Sequence, residues 1–235
     1  MLVLKTIRTG PETCTYLPDR QATMENLLVA RLSPAEYEQK MNEGWRKFGS
    51  VLFRPVCASC QECRPLRIPV AEFAPNRSQR RAVAKNADLT VRYAHPRVDA
   101  ARLALYSCYH GAREREKGWP ESEMSEEDYA LSFLQSPLPG IEISVWEGET
   151  LRAIVLTDVT PATVSGVYHY YEPEGESHSL GTFAMLQTIA LARKLEKPWA
   201  YFGYWVAACP SLAYKANFRP CSILNRAGEW ESPVP

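Results

Sequence analysis

The 235-residue chain has 46% apolar residues, no low-complexity tract, and 27 basic residues that balance 27 acidic ones. This composition excludes a mainly disordered chain, predicts one large or two small globular domains, and limits any nucleic-acid contact to a local basic patch. Because the N-terminal residues form no long apolar segment, we expect a cytoplasmic protein with no membrane attachment, in which clustered cysteines more often bind metal than form disulfides.

The first half of the chain is predicted to alternate helices and short strands around a cysteine-rich loop. The predicted elements are a helix over 33–48, strands over 50–54 and 66–70, a helix over 78–86 and a strand over 88–93. Ser33 is a suitable cap for the first helix and Gly49 a stop, while Ser78 is the expected cap of the second. Pro96 marks a boundary, so we expect residues 1–95 to form a small N-terminal domain.

The second half predicts an acyltransferase arrangement. The elements expected there are helices over 98–117, 125–135 and 179–195, and strands over 141–145, 151–158, 163–171 and 199–206. Two helices, three meandering strands, a helix and a strand follow one another in the GNAT proteins. We therefore expect a mixed α/β (α+β) protein in which a GNAT-like acyltransferase domain over 96–235 follows the cysteine-containing domain.

Three cysteines lie within seven residues, at Cys57, Cys60 and Cys63. A tetrahedral zinc site needs a fourth ligand, and a cubane iron–sulfur cluster also takes four thiolates. Cys14 is the expected fourth ligand because it belongs to the same N-terminal domain. The alternative is that these cysteines are small buried apolar residues that bind nothing.

A basic stretch follows the cysteines, and residues 64–92 carry a net charge of +5 while the rest of the chain carries −5. Arg77, Arg80, Arg81 and Lys85 are expected to contact the phosphate backbone of a tRNA, because arginine pairs with phosphate in a bidentate manner. The alternative is an ordinary solvated helix face.

A second phosphate-binding element is predicted at the start of the helix over 179–195. Ser179, Gly181 and Thr182 offer backbone N–H groups at the positive end of the helix, and glycine allows close approach. The alternative is an ordinary helix cap.

The stretch 201–220 combines aromatic residues with two cations. Rings on both faces of the strand over 199–206 favour a core position, and one face is a candidate platform for a terminal adenine. Lys215 and Arg219 are four residues apart, and we expect both to point at one anion, such as a substrate carboxylate or a phosphate.

These features together resemble one family. The residues that carry the resemblance are CTYLP at 14–18, the cysteine loop with RPLRIPV at 64–70, SQRR at 78–81, SLGT at 179–182, and the stretch 201–220. They are similar to the arginyl/leucyl-tRNA–protein transferases, and the short chain resembles the bacterial branch, the aspartate/glutamate leucyltransferases.

The resemblance implies transfer of an amino acid, leucine in this branch, from aminoacyl-tRNA to the α-amino group of proteins that begin with Asp or Glu, which creates an N-degron. It also implies that relatives hold zinc or an iron–sulfur cluster at the N-terminal cysteines. No cofactor is required for the transfer, because the aminoacyl ester is already activated. We expect Tyr204 or Tyr168 to donate a hydroxyl near the ester, Lys215 and Arg219 to bind the acidic side chain, and Arg64 and Arg67 to contact substrate as well.

Three alternatives stay open. An arginyl-tRNA–protein transferase is the nearest one, since Ser211 and Leu212 stand where the family usually has Lys-Met and leave the donor unassigned. The second is a metal-bound module that binds tRNA or a degron without catalysis. A coenzyme A-dependent acetyltransferase is disfavoured because only Gly181 supplies a glycine at the helix start.

Overall fold

A computed structural model describes residues 1–118, 121, 123–173 and 179–233 and contains two β-sheets. The first sheet has the strand order β1-β2-β4-β3, with all neighbours antiparallel. Its strands are β1 (Leu2–Thr13), β2 (Gln21–Arg31), β3 (Arg46–Phe48) and β4 (Val51–Pro55), and helix α1 (Pro34–Asn42) joins β2 to β3. The long exposed hairpin of β1 and β2 has no counterpart among the predicted elements.

The second sheet has eight strands in the order β12-β11-β5-β10-β9-β8-β7-β6, and only β9 and β10 run parallel as neighbours. The strands are β5 (Arg64–Pro69), β6 (Thr90–Ala94), β7 (Gly140–Glu147), β8 (Thr150–Val159), β9 (Thr163–Tyr171), β10 (Trp199–Trp205), β11 (Ser222–Leu224) and β12 (Trp230–Glu231). The helices are α2 (Arg77–Lys85), α3 (Ala100–Lys117), α4 (Glu126–Tyr129) with a π-helical turn (Ala130–Leu134), α5 (Leu180–Lys194), and α6 (Pro210–Ala213) with a 3₁₀ turn (Tyr214–Asn217).

Most predicted elements are present, and two helix boundaries differ. The helix expected over 33–48 ends at Asn42 because Gly44, at φ +89°, donates its N–H to the Met41 carbonyl and closes the last turn. Residues that would have continued the helix form β3 instead. Helix α2 is capped by Asn76, whose side chain accepts the N–H of Gln79, and not by Ser78. The strands flanking the cysteines and the antiparallel meander of β7, β8 and β9 are confirmed.

Strand β5 is an inner strand of the large sheet, third from one edge, between β10 and β11. Leu66 and Ile68 face one side and pack into the core under α5, together with Ala200 and Phe202 of β10. On the other side, Tyr201 packs into a second cluster formed by α1 and the first sheet. The two halves of the chain therefore share one sheet, with strands from both sides of the expected boundary near residue 95. No helix in the described ranges is long and apolar enough to cross a bilayer.

One buried ion pair fastens α3 to the meander. Arg102 on α3 and Glu142 on β7 are 1% and 0% exposed, and the guanidinium Nε donates to a Glu142 carboxylate oxygen at 2.9 Å. A second guanidinium nitrogen contacts the other oxygen, so the pair is bidentate. Asp99, which caps α3, also pairs with Arg102.

We predict that Glu142→Ala lowers the free energy of unfolding by about 3–5 kcal/mol, because it leaves a buried guanidinium without its main partner. Glu147→Ala, on the same strand, is the matched control: its pair with Arg152 is exposed, and its loss should cost less than about 1 kcal/mol. Urea denaturation of both variants measures the difference. Equal losses of unfolding free energy in the two variants would show that the buried ion pair stabilises the protein no more than the exposed one.

Candidate functional site

The two parallel strands at the centre of the large sheet separate soon after they meet. Strand β10 pairs with β9 only from Trp199 to Tyr201, opposite Thr163 to Ser165. Both strands continue beyond this point, and a register shift in the pairing of β8 with β9 falls beside Gly166. Backbone N–H and C=O groups that no longer face a strand need other partners. The gap between β9 and β10 is therefore a polar opening in the middle of the sheet.

Arg46 of β3 enters this gap from the first sheet. Its Nη2 donates to the Gly166 carbonyl at 2.9 Å and to Ser165 Oγ at 3.1 Å, and the residue is 6% exposed. Sequence reasoning missed Arg46 because it fell within the predicted helix, where nothing distinguished it from a surface charge. The side chain takes the place of a strand partner for β9.

Lys215 supplies a hydrogen-bond donor to β10, on the opposite side of the gap. Its Nζ donates to the Tyr204 carbonyl at 2.9 Å, close to Gly203, which adopts φ +74°. Burial, with a smaller contribution from the nearby Arg46, lowers the pKa of Lys215 to about 7. Burial also lowers the pKa of His169 on β9 to about 4, with Lys215 contributing, so this imidazole is neutral at pH 7.

Tyr168 stands on an aromatic wall beside the gap. Its hydroxyl is 2.8 Å from Nε2 of His110 on α3, and its ring stacks on Phe133 with centroids 5.4 Å apart. Burial raises the pKa of Tyr168 and lowers that of His110, so the phenol keeps its proton and the imidazole is neutral near pH 7. The predicted role of Tyr168 as a hydroxyl donor stays a prediction, with His110 as a partner that sequence reasoning missed.

A second group of polar aromatics lies at the start of α5. Arg113 on α3 donates to the Tyr171 hydroxyl at 3.1 Å and lies over the Tyr109 ring, 5.0 Å from its centroid. A β-carbon on Gly181 would come within 2.9 Å of the Tyr171 ring, so the glycine lets the helix approach β9. Ser179 caps α5 at φ 54° without a side-chain hydrogen bond.

A cavity of about 230 Å³ lies next to the aromatic wall and is lined in part by Phe133 and Val167. Its lining includes the ion pair of Lys47 with Asp158, whose atoms are 3.3 Å apart. Burial raises the pKa of Asp158, and Lys47 opposes this shift. The two charges cancel, which makes this cavity polar without the cationic character of the gap.

Lys215 and Arg219, which were expected to bind one anion together, have different surroundings, and their joint role stays a prediction. Arg219 is exposed and its Nε donates to the Ala216 carbonyl, so Arg46 rather than Arg219 lies beside Lys215 at the gap. Arg64 lies over the Trp205 ring and pairs with Glu231.

Arg67 is enclosed by aromatic rings. Its guanidinium carbon is 3.7 Å from the Trp199 ring centroid and 4.0 Å from that of Trp230. Burial lowers the pKa of Arg67. These contacts give it a packing role, and its substrate contact stays a prediction.

The Tyr204 hydroxyl is already engaged. It lies 2.8 Å from the Gly44 carbonyl oxygen and 3.3 Å from that of Phe53, two acceptors on the first sheet side. Burial is the main cause that raises the pKa of Tyr204. The hydroxyl thus links the two sheets, whereas its predicted donation to an ester stays untested.

Three of the four expected metal ligands share one apolar cluster. Cys14, Cys60 and Cys63 pack against one apolar cluster that also contains Cys209, and Cys57 accepts the Thr23 N–H at 3.4 Å. Arg20 donates to Cys60 Sγ at 3.2 Å.

Burial, with smaller contributions from the neighbouring thiols, raises the pKa of Cys63 to about 12. Because like charges this close resist joint ionisation, a set of thiolates here requires a cation. Soft thiolate donors are the ligands that zinc and iron–sulfur clusters prefer. A metal or cluster at these four cysteines stays a prediction.

The predicted phosphate-binding residues lie on two surfaces. Arg77, Arg80, Arg81 and Lys85 are exposed on α2. The start of α2 is tied to the turn that carries Lys215, because Gln79 donates to the Asn217 carbonyl at 3.2 Å. Thr182 is half-buried in the first turn of α5.

Comparison with known proteins defines the class of this one. Residues 12–81 match the family model of the N terminus of arginine-tRNA–protein transferases, and residues 101–225 match that of the C terminus. The protein is therefore an enzyme of the aminoacyl-tRNA–protein transferase class. The chain belongs to the arginine-tRNA–protein transferase family, which confirms the resemblance seen in the sequence.

Individual relatives point to one branch of the family. An aspartate/glutamate leucyltransferase of Halorhodospira halophila is 37% identical over 94% of each chain, and that of Pseudomonas fluorescens is 38% identical over 94% of each. Among solved structures, L-PGS from Bacillus licheniformis is similar at a TM-score of 0.42 and 13% identity, over 81% of this chain and 70% of that one. The GNAT-like topology expected from the sequence stays a prediction.

We predict that protein purified without oxygen carries zinc or an iron–sulfur cluster, and that Cys14→Ser and Cys63→Ser each lower the metal content per chain severalfold, because each removes one of four thiolates. Elemental analysis and the absorption spectrum measure both. Cys108→Ser, on the exposed surface of α3, is the control and should leave the content unchanged. Metal content that is equal in all four proteins would contradict the assignment.

Proposed function

We propose that this protein transfers leucine from leucyl-tRNA to the α-amino group of proteins that begin with Asp or Glu. The names of its relatives support the donor and the acceptors. The observation that carries the proposal is the cationic gap between β9 and β10, which both halves of the chain build. We place the reaction in the cytoplasm, where aminoacyl-tRNA and proteolytic substrates are both present.

A GNAT-like arrangement accounts for this position. From β6 to β10, the chain runs through two helices, three antiparallel strands, helix α5 and a strand parallel to β9. This is the order predicted from the sequence for an acyltransferase. The separation of β9 and β10 leaves room at the centre of the sheet for the end of an extended donor, with its acyl group in the gap.

The chemistry needs little beyond positioning. The lone pair of the acceptor amine attacks the ester carbonyl carbon, an amide bond forms, and the bond to the terminal ribose oxygen breaks as the amine loses a proton and the ribose oxygen gains one. An α-amine with a pKa of about 7.7–8.0 is partly neutral in the cytoplasm. Holding the two reactants in a near-attack geometry contributes ~7–11 kcal/mol. ATP and a strong base are not needed.

Tyr168 is the hydroxyl we assign to the reacting ester. It is half-buried beside the gap and stays protonated, so it can donate to the developing oxyanion or to the leaving ribose oxygen. This role requires the His110 tautomer that carries its hydrogen on Nε2, which then donates to the Tyr168 oxygen across their 2.8 Å contact and leaves the phenol hydrogen for the substrate.

The cysteine loop has a supporting role in this proposal. Cys14, Cys57, Cys60 and Cys63 would hold zinc or an iron–sulfur cluster, which supplies a cross-link between the loop that carries Cys14 and the loop that carries the other three, and neutralises their thiolates. The apolar cluster below these cysteines contains Cys209, which opens the segment leading to Lys215. The loop thereby supports the segment that positions Lys215.

The direct test is transfer of radiolabelled leucine from leucyl-tRNA to peptides that differ only in the first residue. We predict label on peptides beginning with Asp and Glu and little on one beginning with Ala. Arginyl-tRNA in a parallel reaction tests the nearest alternative donor. Binding of tRNA and peptide without any transfer from either donor would favour a non-catalytic module and refute the proposal.

We also predict that Arg77→Ala combined with Arg81→Ala weakens binding of tRNA without selecting among tRNA sequences, because exposed arginines on α2 contact phosphates. The slope of log affinity against log salt should become shallower by about 0.7–0.9 for each phosphate that the variant no longer binds. Filter binding across a salt series measures both. Arg152→Ala removes a half-buried positive charge elsewhere, on β8, and should leave the slope unchanged. Equal slopes in all proteins would show that the α2 arginines do not contact tRNA.

A further inference from the structure

Two positively charged side chains at the strand gap, Arg46 and Lys215, face the same small volume with no carboxylate of the described residues in direct contact. Asp158 also acts on Arg46, but it lies beyond ion-pair distance and pairs with Lys47. Lys215 Nζ and Arg46 Nη2 lie 3.7 and 3.8 Å from the point where a β-carbon on Gly203 would stand. Each is held by a backbone carbonyl, of Tyr204 and of Gly166. Among residues 1–118, 121, 123–173 and 179–233, no carboxylate lies within salt-bridge distance of either cation.

A buried cation that has only neutral partners is costly, since the attraction of a counter-ion does not offset the loss of water. The lowered pKa of Lys215 has this cause. The neighbouring His169 is neutral and adds no negative charge. The surroundings of Arg46 and Lys215 are therefore suited to an anion brought by a substrate.

The shape of the site selects the kind of anion. Arg46 is 6% exposed, and the neighbouring Lys215 and Gly203 are half-buried. A β-carbon on Gly203 would be in ordinary van der Waals contact with both cations, so the glycine leaves a small space beside them. A carboxylate on a short flexible arm suits a small, largely buried space better than a phosphodiester flanked by two sugars. Exposed cations suited to tRNA phosphates lie instead on α2.

We propose that Arg46 and Lys215 bind the side-chain carboxylate of the acceptor's N-terminal Asp or Glu, an inference that rests on the proposed function. Arg46 donates to the carboxylate through Nε, because Gly166 and Ser165 already use both Nη2 hydrogens, and the Lys215 ammonium donates beside it. Charge-assisted hydrogen bonds of this kind are about twice as strong as neutral ones. The acidic side chain is thereby anchored at the gap, and the α-amine, which two carbons in Asp or three in Glu separate from the carboxylate carbon, is brought beside the ester.

The test compares two peptides that differ only in a first residue of Glu or Gln, which have nearly the same shape. Leucine transfer gives kcat/KM for each peptide with wild-type protein, Arg46→Gln and Lys215→Met. Glutamine at 46 keeps an N–H donor for the Gly166 carbonyl while it removes the charge. We expect the Glu-over-Gln ratio to fall roughly tenfold to a hundredfold in both variants, as for loss of one charged hydrogen bond.

Arg226→Gln is the matched control, because it removes an exposed positive charge in the loop before β12 and should leave the ratio unchanged. Circular dichroism and the melting temperature establish that each variant is folded. An unchanged ratio in folded Arg46→Gln and Lys215→Met would overturn the inference. A ratio that collapses in Arg219→Gln alone would overturn it as well and assign the carboxylate to Arg219.

Failure of the proposed function would be visible separately, as the absence of leucine transfer by the wild-type protein to any peptide. In that case, calorimetry compares binding of the Glu and Gln peptides to the wild-type protein and to both variants. A preference for the Glu peptide that disappears in the variants would support the carboxylate site even so. Equal binding of the two peptides by the wild-type protein would overturn it.

Discussion

The structure depends on a constraint of backbone hydrogen bonding: two parallel strands that separate must find other partners for the groups they expose. Arg46 supplies one partner to β9, and Lys215 supplies one to β10. A third strand in that space would satisfy the backbone equally well but would fill the gap. Side-chain donors keep it open and make it positive. The same contacts fix the first sheet against the second, so the architecture and the electrostatics of the site have one origin.

The groups around the gap divide into charged and uncharged sets. Burial keeps the imidazoles of His110 and His169 neutral near pH 7 and keeps the Tyr168 phenol protonated, because it lowers the pKa of both imidazoles and raises that of the phenol. The cations therefore dominate the local potential, while the aromatic wall contributes hydrogen bonds without charge. This division suits a reaction in which one partner carries a permanent charge and the reacting atoms are neutral at the start.

Local patterns predicted the parts of the fold that local interactions decide. The alternation in β7, β8 and β9 and the cysteine loop between two strands were readable because each follows from a few neighbouring residues. Strand β3 could not be predicted in this way, because three residues are too few to show the alternation of a strand. Trp45 and Phe48 also fit the helical spacing of the predicted helix, which Gly44 ends.

The site was predicted less fully than the fold, because its geometry joins distant segments. Lys215 was identified as a substrate contact, but its neighbour at the gap is Arg46, which comes from the other half of the chain. Arg67 looked like an exposed cation of a basic stretch, and only the tertiary structure places Trp199 and Trp230 on its two sides. Spacing in the sequence carries no information about such pairs.

The position of β5 between two late strands has a consequence for synthesis of the protein. This strand is made early, yet its partners β10 and β11 lie near the end of the chain. Arg67, for example, pairs with Tyr201 on one side and Ser222 on the other. A ribosome-bound chain must therefore hold an apolar strand without neighbours until almost all residues have emerged. Such non-local pairing slows folding and exposes a strand edge that invites aggregation. A ligand held by the early cysteine loop would order the start of β5 while it waits, which makes the loop a provisional anchor during synthesis as well as a support in the finished enzyme.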